Sequence, residues 1–403
     1  MSRYHLAIDL GSKQSKILVG SLEESGWRVI TSYSFPSVGI KHGEIKDVNL
    51  VAERIDNALA EVENSLKAKA FRKAAVGVVS PSLEVHSSKG VIVVARPDQE
   101  ITEEDKERAD KGALAFPLPP NRTLVQFIPS FYTIDGSNKV KDPVGIKGLR
   151  LESEALLLDV FSPVIRALNQ VGNMVRLDFS PKIVLPYAGA EIALSDKDKD
   201  LGAIALDLGA GVTSYSVYED GQLLDMKVFP VGGNSITNDI TIGLKIPVEV
   251  AEEIKITEGM AWAKKVPKGE CFDLSDYWEE AEKDTQIKKK FLAEIIEARV
   301  LEIFDLVIQR LKQIERFSKL PGGVVLYGGG AKLPLIKELA REKFKLPVRI
   351  AKIDNEWYRE NPDPAFVPVL GLLQKSLESE EVLGLNNSLG GSITKFFRKL
   401  FSW

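Results

Sequence analysis

The sequence predicts an α/β protein made of two similar halves on either side of a cleft. An apolar strand ending in Asp-Leu-Gly occurs twice, at residues 7–12 and 205–210, and each copy is followed by a second apolar strand. A third strand, at residues 324–327, runs into three glycines and then a helix. Between the strands lie segments with helical apolar spacing, such as residues 48–69. This alternation of strand and helix indicates a layered, duplicated α/β fold.

The composition is that of a globular protein with large cores. The 403 residues, 44% of them hydrophobic, suggest two or three domain-sized units. The 53 basic and 57 acidic side chains give a net charge of −4, so nucleic acid is not an expected partner.

Cysteine and histidine usage argues against a cysteine- or histidine-based metal centre. The single cysteine, Cys271, excludes an internal disulfide and a multi-cysteine site, and it indicates a reducing compartment. The histidines at 5, 42 and 86 lack the spacing of metal ligands, so we interpret them as structural or surface residues. The N-terminus has no basic stretch leading into an apolar region, and no apolar run approaches the ~18 residues of a spanning helix. We therefore expect the body of the protein to be soluble and cytoplasmic.

The two Asp-Leu-Gly turns have the composition of phosphate-binding turns. Glycine lets the main chain approach a ligand, so that successive N–H groups converge on a phosphate. Asp9 and Asp207 would repel each other and the phosphate unless a hydrated Mg²⁺ bridged them. Two ordinary hairpins with capped turns are the alternative, but the second copy in the same strand context favours a magnesium-nucleotide clamp. The candidate residues of the two turns are Asp9, Gly11, Ser12, Lys16, Asp207, Gly209, Gly211 and Thr213.

Two further glycine turns in the second half have the same character. Gly232 and Gly233 precede a predicted helix, and Gly328, Gly329 and Gly330 join a buried strand to a helix. A strand, a glycine turn and a helix suit close approach of the backbone to a nucleotide. We add these five glycines to the candidate nucleotide-binding residues.

The chain divides into a duplicated body, an insertion and a tail. Residues 83–162 predict a small α+β module with a helix opened by Thr102 and Asp105 in capping-box style. Residues 175–179 predict a strand, 183–194 a helix and 195–200 a linker between the halves. The predicted units are 1–82 with 163–200, the insertion 83–162, 201–233 with 318–375, 234–317, a linker at 376–391 and a terminal helix at 392–403.

The terminal segment predicts a basic amphipathic helix that lies on a membrane surface. Its apolar residues recur at helical spacing with basic residues opposite, and the preceding segment is polar enough to act as a tether. A helix folded onto the body or paired with another chain is the alternative. One copy would bind modestly, and polymerisation would multiply binding by avidity. The predicted membrane residues are Ile393, Lys395, Phe396, Phe397, Arg398, Lys399, Leu400, Phe401 and Trp403.

Longer motifs carry a family resemblance. Residues 39–45 read GIKHGEI, 100–105 EITEED, 142–148 DPVGIKG, 230–240 PVGGNSITNDI and 296–299 IEAR. With the tail, these segments span nearly the whole chain, and together they resemble FtsA, the bacterial cell-division family of the actin superfamily.

The resemblance implies an actin-like (ribonuclease-H-like, duplicated) fold with subdomains 1A, 1C, 2A and 2B around a nucleotide cleft. It also implies an ATP- and Mg²⁺-dependent, filament-forming adaptor that tethers FtsZ polymers to the cytoplasmic face of the membrane at the division site. The implied partners are the FtsZ C-terminal peptide, copies of the chain itself, an anionic membrane surface and other division proteins, with no nucleic acid.

The resemblance assigns three residues of the second half. Glu252 and Lys255 lie where the superfamily grips ribose and adenine, and their spacing puts them on one helical face. Arg299 lies where the family meets the FtsZ peptide, near Lys288, Lys289 and Lys290 in sequence. A solvated helix face is the alternative for Arg299.

Departures from the family pattern bear on catalysis. Val212 stands where many relatives have Thr, and Ser214 where they often have Asp. Leu185 stands where many actin-like ATPases carry the Glu or Gln that orients the attacking water, and an apolar side chain cannot do so. We therefore predict nucleotide binding with slow or no hydrolysis, and we assign no catalytic residue. Two other functions remain open from sequence: a small-molecule kinase of the same superfamily, and a pilus-assembly adaptor of the same fold that binds a peptide of a membrane partner.

Overall fold

Two lobes, each built on a five-stranded mixed sheet, form the body of the protein. The structure, a computed structural model, describes residues 4–23, 26–67, 71–353, 358 and 363–389. The first lobe begins with a three-stranded meander, a small hairpin, a helix and a parallel strand. These elements are β1 (Tyr4–Leu10), β2 (Gln14–Glu23), β3 (Gly26–Pro36), β4 (Ile40–Lys41), β5 (Glu44–Ile45), α1 (Val48–Leu66) and β6 (Lys73–Val78).

Helix α1 illustrates how local sequence sets an element. Asp47 caps its N-terminus by accepting from the backbone N–H groups of residues 49 and 50, and Lys67 ends it in the left-handed conformation. The residues that recur at helical spacing, among them Val51, Ile55 and Val62, are buried against the sheet. The helix predicted over residues 48–69 is confirmed, three residues shorter at its C-terminal end.

An inserted module follows the first parallel strand. It consists of β7 (Glu84–Val93), α2 (Glu103–Leu114), β8 (Arg122–Ile134), β9 (Asn138–Val140) and β10 (Arg150–Phe161). The strands form an antiparallel sheet in the order β7, β10, β8, β9, and α2 packs on it. The predicted capping box is confirmed, because Thr102 and Asp105 exchange side-chain and backbone hydrogen bonds.

The chain then completes the first lobe. These elements are α3 (Ser162–Met174), β11 (Asp178–Val184), α4 (Leu185–Ala193) and α5 (Asp196–Leu201). The sequence predicts a strand over residues 175–179, but the observed strand is β11, at Asp178–Val184, where the chain pairs in parallel with β6. The helix predicted from residue 183 begins at Leu185, with Pro186 in its first turn. The segment predicted as a linker, 195–200, forms the short helix α5, since Ser195 and Asp198 form a capping box, and it leads into the second lobe.

The second lobe repeats the plan of the first. Its elements are β12 (Ala203–Leu208), β13 (Thr213–Glu219), β14 (Gln222–Phe229), α6 (Gly233–Leu244), α7 (Val248–Thr257), β15 (Cys271–Asp273), β16 (Gln286–Lys288), α8 (Lys289–Gln313), β17 (Gly323–Tyr327), α9 (Ile336–Phe344) and β18 (Val348–Ile350). The chain then returns to the first lobe through α10 (Val367–Leu389), which packs on β1, β2 and α4. The sheet order β14, β13, β12, β17, β18 matches β3, β2, β1, β6, β11 in the first lobe, with the same parallel and antiparallel pairings. The predicted duplication is therefore present strand by strand.

Helices α4 and α10 link the lobes, because α4 packs on β12 and β13 of the second lobe and α10, which follows the second lobe in the chain, packs on α4 and β1 of the first. The two helices are in backbone contact: a Cβ atom on Gly371 would lie only 1.9 Å from the Ala188 carbonyl oxygen, so this position requires glycine. A single buried cluster continues from the first lobe into the second, where it includes Ala205 and Tyr327. The two turns that end β1 and β12 are thereby fixed on opposite sides of one cleft.

Helix α10 extends to Leu389, so most of the segment expected to be a polar tether is helical. The predicted amphipathic helix at 392–403, with all of its membrane residues, lies outside the described residues. Within the described ranges, the helices are too short or too polar to cross a bilayer.

Candidate functional site

A cavity of ≈ 390 Å³ lies between the lobes. It is lined by every residue that the sequence analysis predicted for nucleotide contact. These residues are Asp9, Gly11, Ser12, Lys16, Asp207, Gly209, Gly211, Thr213, Gly232, Gly233, Glu252, Lys255, Gly328, Gly329 and Gly330. Residues more than 300 positions apart in sequence thus contribute to one site.

The two Asp-Leu-Gly turns have the same construction. A Cβ on Gly11 would lie 2.4 Å from the carbonyl oxygen of Gln14, three residues further on. A Cβ on Gly209 would lie 2.7 Å from the carbonyl oxygen of Val212, again three residues further on. Both turns therefore need glycine for the same steric reason, and both bring their backbone to the cavity.

The turns meet across the cleft. A Cβ on Gly211 would lie 2.3 Å from the hydroxyl oxygen of Ser12. The backbone N–H of Gly43 donates to that hydroxyl at 3.0 Å, and the Nδ1 atom of His42 lies 2.8 Å from the carbonyl oxygen of Gly211. His42, interpreted from sequence as structural or surface, therefore joins the lobes beside the site.

Two carboxylates occupy the polar end of the cavity. Asp9 is almost fully buried, and the Nζ atom of Lys16 lies 3.8 Å from its Oδ2 atom. Burial raises the pKa of Asp9, although Lys16 opposes the effect. Burial and the neighbouring Asp9 carboxylate raise the pKa of Asp207 to about 7. With one lysine for two carboxylates on the cavity wall, the pair would gain from a cation, and oxygen ligands suit Mg²⁺.

The lobes differ at the positions that face the carboxylates. Lys16 on β2 is paired with Asp9, whereas the corresponding position opposite Asp207 is Ser214 on β13. The hydroxyl oxygens of Thr213 and Ser214 are buried and have no hydrogen-bond partner among the described residues. Since buried hydroxyl groups are normally satisfied, Thr213, which lines the cavity, has spare capacity to bind a ligand oxygen.

The triple-glycine turn comes close to one carboxylate. Gly328 has a φ angle of +83°, and a Cβ there would lie 2.1 Å from the Oδ1 atom of Asp207. Nothing lies within 4 Å of a Cβ built on Gly329, so its backbone opens onto free space in the cavity. This turn is shaped for close approach of a ligand to the main chain.

Glu252 and Lys255 form a polar cluster on α7. Lys255 Nζ donates to Glu252 at 2.5 Å, to Thr237 at 2.7 Å and to the Gly233 carbonyl oxygen at 3.1 Å. Glu252 also accepts hydrogen bonds from Thr237 and from Lys13 of the first lobe. Burial lowers the pKa of Lys255 despite Glu252. Burial works to raise the pKa of Glu252, yet the hydrogen bonds from Lys13, Lys255 and Thr237 outweigh it and lower this pKa.

The other end of the cavity is apolar. Its lining there includes Ile236, Ile256, Val300, Ile303, Phe304, Leu333 and Ile336. A planar apolar group would fit against these side chains, while the glycine turns and carboxylates lie at the polar end. This division matches the two parts of a nucleotide, a base and a chain of phosphates.

The position expected to orient water holds a packed side chain. Leu185 lines the cavity and is only 5% exposed. Its side chain lies against β6, where a Cβ on Gly77 would be 2.5 Å from it. Leu185 is therefore a core residue at the edge of the site, and it brings no acid, base or hydrogen-bonding group to the cavity.

Arg299 lies apart from the cavity, on α8. Its guanidinium donates two hydrogen bonds to Asp239 on α6, at 2.6 and 2.9 Å, and a third to Glu302 at 2.6 Å. The hydrogen bond with Asp239 raises the pKa of Arg299. Arg299 is thus already paired, and a peptide carboxylate would have to share or displace Asp239.

Sequence reasoning missed several residues of the site. Lys13 bridges the lobes through Glu252, and Lys332 pairs with Asp363 at 2.8 Å on the cavity wall. The Nζ atom of Lys16 lies over the ring of Phe366, 5.9 Å from the ring centre. These residues stand on loops or helix starts outside any motif. Only the position of Lys13 beside Ser12 could have indicated its role.

Comparison with known families agrees with the motifs. The family described as Cell division protein FtsA matches residues 204–371, and an SHS2 domain inserted in FtsA matches residues 82–158. A Cell division protein FtsA of Bacillus subtilis (strain 168) is 30% identical over 384 residues, which cover 94% of this chain and 85% of the relative. The protein of that name from Enterococcus hirae is 32% identical over 381 residues, with the same coverage of both chains.

Solved structures share the fold at low sequence identity. A PilM–PilN type IV pilus biogenesis complex matches with a TM-score of 0.63 and 17% identity, covering 92% of this chain and 98% of the other. MreB5 of Spiroplasma citri bound to AMPPNP matches with a TM-score of 0.56 and 16% identity, covering 96% and 99%.

The duplicated sheets, the inserted module and the paired turns define an actin-like protein. Within that class, the sequence matches are specific, since they extend over nearly the whole chain and include the insertion. The chain belongs to the FtsA family of cell-division proteins. It is therefore an actin-like protein of bacterial cell division.

Proposed function

We propose that the interlobe cavity binds ATP together with Mg²⁺. The observation that carries this proposal is the convergence of two identically built glycine turns, each with an aspartate, on one cavity with an apolar far end. The fold relative MreB5 is bound to AMPPNP, which supports a nucleotide as the ligand.

The residues suggest a division of labour. The purine would lie at the apolar end, with Glu252 and Lys255 near the ribose and adenine. The glycine turns and the Thr213 hydroxyl would donate to the phosphates, and Lys16 would balance their charge. Asp9 and Asp207 would hold Mg²⁺ through water, which lets the ion keep part of its hydration shell. Held in this way, the ion would offset part of the negative charge of the phosphates and of the two carboxylates.

We further propose that the protein forms filaments and tethers FtsZ polymers to the cytoplasmic face of the membrane at the division site. The family to which the chain belongs supports this role. The basic aromatic segment 392–403 would supply the anchor, since its composition suits an anionic bilayer surface. Filament formation would multiply the modest affinity of one anchor.

Helices α6 and α8 form the surface we assign to the FtsZ C-terminal peptide. Exposed apolar residues stand on the same helices as the Arg299–Asp239 pair: Ile242, three residues after Asp239, is 75% exposed, and Phe291, about two turns before Arg299, is 45% exposed. A Cβ on Gly243 would lie 2.6 Å from Ile295, so the two helices are closely packed under this surface. An acidic peptide with apolar side chains would contact Ile242 and Phe291 through its apolar groups and would share or displace Asp239 to reach Arg299.

Sedimentation with liposomes tests the tether. The full chain and a chain ending before Gly390 are mixed with ATP and with vesicles that are either anionic or neutral. We expect the full chain to sediment with anionic vesicles and the truncated chain to stay in the supernatant. Phe397→Glu in the full chain should reduce sedimentation without changing the length. Equal sedimentation of the full and truncated chains would contradict the anchor.

The pilus-assembly alternative rests on the PilM–PilN structure, which shares the fold at 17% identity. The inserted module and the family motifs favour the cell-division role. Failure of the truncation to change membrane binding, combined with binding to a peptide of an inner-membrane pilus protein, would favour the alternative.

A further inference from the structure

Three potential metal ligands meet at the base of the inserted module. Glu84 and His86 lie two residues apart on β7, so their side chains point to the same face of the sheet. Asp159 lies on the neighbouring strand β10, where it is paired directly with Glu84. The sequence did not reveal the cluster, because Asp159 lies on β10, at the far end of the module from Glu84 and His86 in the chain.

The ligand atoms are close to one another. His86 Nε2 lies 2.8 Å from Asp159 Oδ2 and 3.6 Å from Glu84 Oε2. In the part of the chain that the structure describes, this is the one group of three such side chains whose ligand atoms all lie within 4.8 Å of one another. Two ligands of a tetrahedral zinc ion lie about 3.3 Å apart, given bond lengths near 2.0–2.2 Å. Small side-chain rotations would therefore place all three atoms around one ion.

A second observation points to a missing partner. The Asp159 side chain is fully buried, yet its Oδ2 atom has no hydrogen-bond partner in the described part of the chain. The same holds for His86 Nε2, which faces that oxygen without the alignment of a hydrogen bond. Burying a carboxylate oxygen and an imidazole nitrogen without hydrogen bonds costs folding free energy. A cation or a proton between the two atoms would remove that cost.

Arg122 supports the arrangement from behind. Its guanidinium donates to Asp159 Oδ1, and its Nη1 atom lies 3.5 Å from Glu84 Oε1. The arginine thus contacts the outer oxygens of both carboxylates and leaves the inner oxygens, Oδ2 and Oε2, facing His86. Hydrogen bonds to the outer oxygens of ligating carboxylates are typical of metal sites. One guanidinium cannot neutralise two carboxylates, so the inner oxygens keep a net negative charge.

We propose that Glu84, His86 and Asp159 bind one divalent transition metal ion, with Zn²⁺ as the best fit to one imidazole and two carboxylates. Water would complete a four-coordinate shell, since Glu84 is about half exposed and solvent reaches the site from that side. The site is distinct from the interlobe cavity, and the inference does not depend on nucleotide binding.

The location suggests what the ion would do. The module leaves the first lobe next to Ser82 and returns at Ser162, so the ligands on β7 and β10 lie beside both crossings. Arg122 also donates to the Ser82 carbonyl oxygen at 2.6 Å, and the Phe161 N–H donates to the Ser82 hydroxyl at 3.2 Å. An ion at this position would tie the two crossing strands together and stiffen the module against the lobe.

Zinc titration of the whole chain tests the proposal. Untagged full-length protein carrying Cys271→Ser, which removes the exposed thiol as a competing ligand, is stripped with chelator. It is then titrated with zinc chloride by calorimetry, with millimolar Mg²⁺ present to occupy the cleft carboxylates. We expect one zinc per chain and a rise in melting temperature. His86→Gln should weaken binding by about tenfold or more, and Co²⁺ in place of zinc should show the visible absorption of a four-coordinate site.

Two further variants keep the test decisive. Glu84→Gln changes a half-exposed side chain and should fold, so it reports on the site even if His86→Gln does not. Glu154→Gln on the same strand β10, whose carboxylate already pairs with Lys89 and Lys139, is the matched control and should bind zinc as the parent does. Absence of stoichiometric zinc binding, or binding that neither Glu84→Gln nor His86→Gln weakens, would overturn the proposal.

Discussion

The hydroxyl oxygen of Ser12 lies 2.3 Å from the place where a Cβ atom on Gly211 would be. The two turns of the cleft are therefore in direct contact. The lobes can approach this closely because Gly211 has no side chain at the point where the Ser12 side chain lies against it. The carbonyl of Gly211 also contacts His42, so the same residue joins the lobes twice.

We expect Gly211→Ala to push the turns apart. Overpacking at a closely packed contact costs about 1–3 kcal/mol, and thermal unfolding should show a lower melting temperature and weaker nucleotide binding. The double variant Ser12→Gly/Gly211→Ala should recover much of the stability, because it removes the clashing side chain. Gly329→Ala is the control, since nothing lies within 4 Å of its Cβ position and stability should not change. A fully stable Gly211→Ala protein would contradict the close contact.

The contribution of Asp207 to the stability of the nucleotide-free protein should fall as the pH rises. The pKa of Asp207 is about 7 in the folded protein, against 3.8 for an ordinary aspartate. Its contribution is fully present below about pH 4 and is lost as the pH rises through about 7, on the order of 4 kcal/mol in total. Asp207→Asn mimics the protonated form, so it should match the parent near pH 4 and exceed it at pH 8.

Chemical denaturation across this pH range, without Mg²⁺, measures the difference. Asp305→Asn, a change at a half-exposed aspartate of α8, is the control. If the free energy of unfolding changed with pH in the same way for the parent and for Asp207→Asn, the raised pKa of Asp207 would be contradicted.

Binding of Mg²⁺ with nucleotide at neutral pH should release protons. The ion requires ionised carboxylates, whereas the raised pKa leaves Asp207 partly protonated near pH 7. Calorimetry in buffers with different ionisation enthalpies should therefore detect proton release, and affinity should rise between about pH 6 and 8. Asp207→Asn should abolish most of the release. Equal heats in all buffers would argue against Asp207 as the titrating group.

Hydrolysis should be slow. Leu185 is buried against β6 and offers no group to orient water, so we expect bound nucleotide to persist. Leu185→Ala should lower stability by about 2–5 kcal/mol while leaving phosphate release as slow as before. Phosphate-release assays on purified protein without partners measure this. Release of several phosphates per minute by the parent would mean that another residue activates water.

Binding of the FtsZ C-terminal peptide should depend on Arg299. We expect Arg299→Ala to weaken binding of the acidic peptide about tenfold, because its charge and its pairing with Asp239 are lost together. Arg310→Ala is the matched control: Arg310 lies on the same helix and makes a similar two-bond pair, with Asp225. Fluorescence anisotropy with a labelled peptide compares them. Equal losses in both variants would indicate a stability effect rather than a contact.

The sequence by itself determined the features that depend on neighbouring residues. The paired Asp-Leu-Gly turns, the capping box of Thr102 and Asp105 and the helix at 48–66 are present because local sterics and hydrogen bonds specify them. Duplication of the turns also predicted duplicated sheets, since each turn needs the same strands around it.

Only the tertiary structure decided which distant groups meet. The contacts of Lys13 with Glu252 and of His42 with Gly211 join the lobes, and the cluster of Glu84, His86 and Asp159 joins two strands of the module. These contacts depend on how helices α4 and α10 fix the lobes and on how β7 pairs with β10. The residues that meet lie tens to hundreds of positions apart in the chain, so local sequence patterns cannot predict these contacts.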